Sequence, residues 1–251
     1  MFLPRRYRYE HYYYLRSRRR RLMVWLALLL LLIGIGLTRH SPVKPTHPPA
    51  PAPAPSSTPA GKKPGTVTAA GAGVTWMGFH GIALPASAQD GPRHVSDGGL
   101  AWDFTDTPRG ALLAAVNIAV RTAAQWGPAV YGPTIRYQVT GPDTAALAQS
   151  DTTAWVALRA AARARTAQPA AHSHAAIAGY WFESWTAAAG LIDLVTRGPA
   201  ADGRSVLAAT AVRVAWLYGD WRVLAPPGGT WASSAAAVPS LAGFTPFSDE
   251  R

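Results

Sequence analysis

The chain has 251 residues and no cysteine among them. That excludes thiol nucleophiles, thiolate zinc sites, disulfide staples and lipid attachment through a cysteine, so an exported domain must be held by its core alone. Residues 67–251 are numerous enough for this, because a chain of that size buries roughly two-thirds of its surface on folding. Lysine is nearly missing too: Lys44, Lys62 and Lys63 are the only three, and the distal part of the chain has none. There is no glycine-rich phosphate loop, no G-x-S-x-G elbow and no H-E-x-x-H, so no local signature of P-loop nucleotide, nucleophile-elbow hydrolase or zinc-protease chemistry is present.

Acidic residues are scarce, 13 against 24 Lys and Arg, for a formal net charge of +11. The excess is local. Residues 1–21 carry eight Arg against one Glu, residues 38–66 add Arg39 and the three lysines, and residues 67–251 balance twelve Arg with twelve acids. The distal domain is therefore neutral and is not expected to contact nucleic acid directly.

Between the basic tail and Arg39 lie sixteen uncharged, almost wholly apolar residues, Leu22 to Leu37. As a helix they span about 24 Å at roughly 1.5 Å per residue, and Thr38 with snorkelling arginines makes up the shortfall against a bilayer core of about 30 Å. No A-x-A site follows directly, which favours an uncleaved transmembrane helix over 22–38 above a removed export signal. The charge bias places residues 1–21 in the cytoplasm and the bulk of the chain outside. In the tail, Arg18, Arg19, Arg20 and Arg21, interleaved upstream with tyrosines, are the expected contact with anionic lipid headgroups or a cytoplasmic partner.

Residues 42–65 contain nine prolines and no apolar periodicity, the composition of an extended spacer reaching at most roughly 70 Å. The linker is set at 39–66 and the extracytoplasmic domain at 67–251. Its first part, 76–107, reads as loops and short extended pieces. Thr107-Pro108 then opens a helix over 108–126, with Leu112, Leu113, Val116, Val120 and Trp126 at helical spacing. A second helix is expected over about 143–165, while 129–140 is left between a strand and a connecting loop. The C-terminal half changes to period two. Val206, Ala208, Thr210, Val212, Val214 and Trp216 share one strand face, and Tyr218-Gly219-Asp220-Trp221 turns the chain back. Helices followed by a meander of about four strands make an α+β domain, with helices on one face of a curved antiparallel sheet.

The stretches "GYWFESWTAAAGLIDLVT" and "ATAVRVAWLYGDWRVL" are similar to the sheet of NTF2-like (cystatin-like) domains, in which a long strand ends at a Gly-Asp-Trp turn. Tail, membrane helix, spacer and external domain in this order resemble the VirB8-like conjugation scaffolds and their Gram-positive counterpart TcpC. The segment "DFTDTPRGALLAAVNIAVRTA" further resembles actinobacterial proteins of mobile elements. The resemblance covers roughly residues 100–225. It implies an NTF2-like cone and a structural, non-enzymatic component of a conjugative, type IV secretion-like DNA-transfer apparatus. It further implies other membrane or channel proteins, and a second copy of the chain, as partners. A surface ligand-binding or isomerase-like domain and a general envelope accessory protein are the alternatives.

Candidate chemistry is thin. His172 and His174 have no carboxylate or cysteine near them in sequence, and Asp90, Asp97, Asp103 and Asp106 do not have calcium-loop spacing, so no metal and no cofactor is expected. Asp193 with Tyr180 and Tyr218 is the one constellation an isomerase-like reading would use. Nine tryptophans lie beyond the apolar run, and Trp231, flanked by proline and glycine, is the expected exposed partner contact. The topology has a direct test. Protease added to wall-stripped cells is expected to remove the distal domain and spare a tag fused before residue 1, whereas a mature protein beginning near residue 40 overturns the anchor.

Overall fold

A computed structural model of the chain describes residues 73–164, 175–199 and 204–247. Arg18 to Arg21, the apolar run 22–38, the spacer and both His172 and His174 fall outside the described residues.

The segment expected as loops and short extended pieces folds as two hairpins of short strands. Strands β1 (Thr75–Phe79) and β2 (Ile82–Ala86) pair through a two-residue turn, His80-Gly81, with positive φ at both positions, as a tight hairpin turn requires. A smaller hairpin follows, β3 (His94–Val95) with β4 (Ala101–Trp102). Helix α1 (Pro108–Arg121) begins where the sequence places it: the Thr107 hydroxyl accepts from the Gly110 N–H at 3.0 Å, and proline takes the first helical position. It ends five residues before the expected 126. Thr122 closes it, a 3-10 turn follows at Ala124–Trp126, and the Trp126 indole donates to the Val120 carbonyl that a continuing helix would have used. The undecided stretch folds as helix α2 (Pro128–Gln138) and strand β5 (Val139–Thr140), and helix α3 (Thr144–Ala164) follows within a residue of expectation.

Four strands then meander, β6 (Ala176–Thr186), β7 (Ala189–Pro199), β8 (Ser205–Leu217) and β9 (Asp220–Leu224), and the tail adds β10 (Ala235–Val238) and β11 (Thr245–Pro246). Tyr218 and Gly219, both at positive φ, make the tight turn between β8 and β9. The sheet order is β11-β6-β7-β8-β9-β5, and β10 shares the far edge of β8 with β9: Leu207 to Thr210 pair with β10, Val214 to Leu217 with β9. All pairings are antiparallel except β5 with β9.

The expected NTF2-like cone, N-terminal helices on a sheet of about four strands, is overturned. The sheet has seven strands, and two hairpins rather than helices open the described part. The extra strands come from segments with weak local signals: β5 is two residues long, β10 is nearly all alanine and β11 contains proline. These pair because the edges of β9, β8 and β6 are there to receive them. Among the described residues no helix is long and apolar enough to cross a membrane.

One layer of the molecule is the sheet and the other is α1 with its neighbours. Every residue from Gly110 to Ile118 is buried, so α1 is covered all round, by the inner face of the sheet below and by β2, β4 and α2 around it. Its alanines fit this, since small side chains let elements approach on every side. Trp221 fills the space between helix and sheet. It is fully buried, its ring lies 5.2 Å from Trp185 and 5.3 Å from Trp216, and its indole N–H donates to the Thr105 carbonyl at 2.8 Å. Trp216 is only partly buried. Replacing Trp221 by Ala is therefore expected to cost about 3 to 5 kcal/mol in urea unfolding, and Trp216→Ala measurably less.

Helix α3 carries a polar residue in its apolar stripe. Leu147, Asp151, Ala154, Trp155 and Leu158 face inward, and the Asp151 Oδ2 is buried with no hydrogen-bond partner. Burial pushes this carboxyl up to about 7. The unfolded chain releases the proton near pH 4 while the folded one keeps it, so stability falls as pH rises from about 4 to about 7 and is level above. Asp151→Asn removes that slope. The variant is expected to gain on the native protein through this window by on the order of 2 kcal/mol, a figure reduced for partial access of water; parallel urea titrations at pH 4.5 and pH 8 check it.

Candidate functional site

Three segments converge on Asp220. The carboxylate at the start of β9 accepts the backbone N–H of Asp103 at 3.0 Å, of Phe104 at 3.1 Å and of its own neighbour Trp221 at 2.8 Å. The β3–β4 hairpin is thereby fixed beside β9, with Trp102 turned outward and stacked on His94 at 5.4 Å. The last turn of α2 arrives from the other side. Tyr137 and Gln138, adjacent in sequence, point in opposite directions: Tyr137 is 57% exposed with the Arg136 guanidinium over its ring, and Gln138 is 2% exposed.

Between these segments lies a cleft of about 230 Å³ lined by Leu100, Trp102, Tyr137, Gln138, Asp220 and Arg222. Two aromatic rings flank it. Asp220, with Arg222 Nη1 at 3.7 Å from its Oδ2, makes a charge pair there that is close to neutral overall. Gln138 spends its amide N–H on the Ala101 carbonyl, which leaves the Oε1 buried without a donor. A buried acceptor without a partner costs free energy that a donor brought close would recover. None of the six lining residues is a nucleophile with a base beside it. The chemistry on offer is recognition: aromatic faces for an apolar or planar group, and acceptors for a donor.

A second hub stands behind the cleft. Asp90 accepts the hydroxyls of Thr105 at 2.8 Å and Thr107 at 2.7 Å and the Arg109 Nε at 2.5 Å. Burial works against ionisation here, but the bonds from Thr107, Thr105 and Arg109 outweigh it and hold the carboxyl below its usual range. Of the four spaced aspartates, Asp90 is a structural clamp and Asp103 pairs with Arg93 at 3.2 Å. Among the described residues no group of three or more His, Asp or Glu is placed to hold a metal.

The isomerase-like constellation does not assemble. Tyr180 is buried on the inner face of the sheet against Phe182 and Phe247, Tyr218 stands 95% exposed at the β8–β9 turn, and Asp193 lies on the opposite face from Tyr180. Burial and the adjacent Glu183 raise the Asp193 carboxyl to about 6. Trp231, expected to be exposed, is instead partly buried against the core, because its indole N–H reaches the Thr122 hydroxyl at 2.8 Å and anchors the tail on α1. Tyr137 and Gln138 were missed for want of a decision on 129–140. Their signal is helical spacing: Tyr131, Thr134, Ile135 and Gln138 share the inward side, and Tyr137 falls off it.

No curated protein and no solved structure matches this chain. A family described as Domain of unknown function (DUF8175) matches residues 39–246, from just beyond the apolar run to β11, and the chain belongs to that family.

Proposed function

We propose that the chain is a membrane-tethered association module whose external domain docks partner proteins at the cleft beside Asp220, without catalysis. The observation that carries this reading is where the exposed apolar residues are. Among the described residues, six large hydrophobic side chains are exposed: Trp102 and Tyr137 line the cleft, Val95 stands on the same hairpin as Trp102, and Leu217 and Tyr218 stand at the β8–β9 turn that leads into Asp220. Only Val156 lies elsewhere. Clustered exposed aromatics around a desolvated acceptor are the composition of a protein-binding patch, in which rigid rings supply contact area at small entropic cost.

The setting proposed is a conjugative DNA-transfer apparatus. Its support is the order of parts in the sequence: basic tail, apolar run, proline-rich spacer, neutral external domain. A tether raises the effective concentration of a weakly binding domain for partners fixed in the same membrane. The cone-shaped fold no longer supports it.

In a host whose transfer depends on this gene, the Trp102→Ala, Tyr137→Ala double variant is expected to accumulate normally, to stay within about 0.5 kcal/mol of native stability at the Tyr137 position, and to lower transfer at least tenfold. Asp193→Asn, which a carboxylate-based reaction would feel, is expected to transfer normally. Native transfer by the double variant overturns the cleft as the docking site, and loss of transfer in a stably folded Asp193→Asn protein overturns the non-catalytic reading.

A further inference from the structure

The sheet has a second face that the core does not use. Tyr180, Phe182, Ile192 and Val212 point inward to α1, so their neighbours point away: Trp181, Asp193 and Ala211 lie side by side across β6, β7 and β8, and Leu191 stands beside Arg213 in the next row. Glu183, in the bulge of β6, reaches Asp193 on this side. Neither Trp181 nor Leu191 packs on the core. Among the described residues, the tail crosses one end of the face on its way from β10 to β11. There Leu241 lies 3.4 Å from where a Cβ on Gly179 would stand, and Val195, in the same row as Gly179, is fully buried.

The rest of the face, half-buried at Trp181, Leu191, Asp193 and Ala211 and exposed at Glu183 and Arg213, is divided by charge and by size. On the β6 side stand an acid and a large ring, Glu183 and Trp181; on the β8 side stand a base and a methyl group, Arg213 and Ala211. We infer that this face binds a second copy of the chain, packed face to face about a two-fold axis running along β7. Such an axis exchanges the two sides, so the Glu183 of each copy comes over the Arg213 of the other, and each Trp181 comes over the other copy's Ala211. An axis across the strands would instead oppose like with like, acid on acid and ring on ring. The axis along β7 brings the two Asp193 carboxyls together. Burial and Glu183 raise that carboxyl to about 6, which eases its approach to a second one, and Arg213, one row along on the adjacent strand β8, supplies a cation on the same face. A patch three strands wide is a small interface. Association is therefore weak in dilute solution, and holding both copies on one membrane favours it.

The chain has no cysteine, so a single introduced thiol is unique in it. Leu191→Cys, close to the axis, is expected to give a crosslinked pair of chains when membranes containing the full-length protein are treated with a short bis-maleimide. Ser150→Cys, exposed on α3, is expected to give at least fivefold less. In the Leu191→Cys background, Glu183→Arg and Arg213→Glu are each expected to reduce the crosslink at least fivefold, and the two together to restore it, a rescue that a merely structural effect would not produce. An equal crosslink from both thiol positions, failure of the double charge swap to rescue, or a Leu191→Cys product whose mass is not twice that of the chain overturns the inference. The cleft reading is untouched by this outcome, because the assay reads chain pairing and not transfer.

Discussion

The Asp220 carboxylate holds the two halves of the molecule together. The β1–β2 and β3–β4 hairpins have little of their own to keep them folded: two-stranded pieces of five and of two residues are marginal in water. What fixes the second of them is a charged acceptor more than a hundred residues away, which takes two consecutive backbone N–H groups from Asp103 and Phe104. Bonds to a charged partner are worth about 1.5 to 3 kcal/mol each, and these are made where little water competes. Trp221 continues the same tie by giving its indole proton to Thr105. Asp90 then collects Thr105, Thr107 and Arg109, so one chain of bonds runs from β9 through the loop to the first turn of α1.

The far end of α1 is held by a cation instead. Arg121 is fully buried, with its guanidinium donating to Gly99 O, to Asn117 O and Oδ1, and lying 4.4 Å above the Phe79 ring. No carboxylate is among these contacts, and burial lowers its pKa to about 10. A guanidinium tolerates this because carbonyl oxygens at the C-terminal end of a helix already present negative potential, and because its planar face packs on an aromatic ring. Gly99 O and Phe79 belong to the two hairpins. The N-terminal segment is thus pinned by an anion at one end of α1 and by a cation at the other, and both charges are satisfied by backbone rather than by each other.

Local chemistry was legible in the sequence and long-range pairing was not. Thr107-Pro108, Tyr218-Gly219 and the alternation from Val206 to Trp216 state their own conformations, because a cap, a left-handed turn and a half-buried strand are each decided within a few residues. The family resemblance failed at the next level. A Gly-Asp-Trp turn specifies that two strands return on each other, not how many strands lie beside them. Ala235 to Val238 carry no strand signal of their own and become a strand because Leu207 to Thr210 leave an edge free. The cleft was illegible for the same reason: Trp102, Gln138 and Asp220 have nothing in their spacing that brings them together. Trp231 was misplaced because its proline and glycine neighbours describe a loop, while its partner, Thr122, is distant in the chain.

Scaffold and proposed binding site share Asp220, and this decides which residues can report on function. A substitution at the floor of the cleft removes the acceptor for Asp103 and Phe104, frees the β3–β4 hairpin and displaces Trp102, so lost binding there cannot be told from lost structure. Gln138 is tied in the same way through the Ala101 carbonyl. The rim is separate. Tyr137 and Tyr218 touch solvent more than protein, and the fold does not depend on their rings. Single exposed rings need no explanation, whereas rings grouped beside a cleft are the pattern that a partner surface presents. The division between a floor that folds the domain and a rim that meets the outside follows from the two directions taken by Tyr137 and Gln138 on one helical turn.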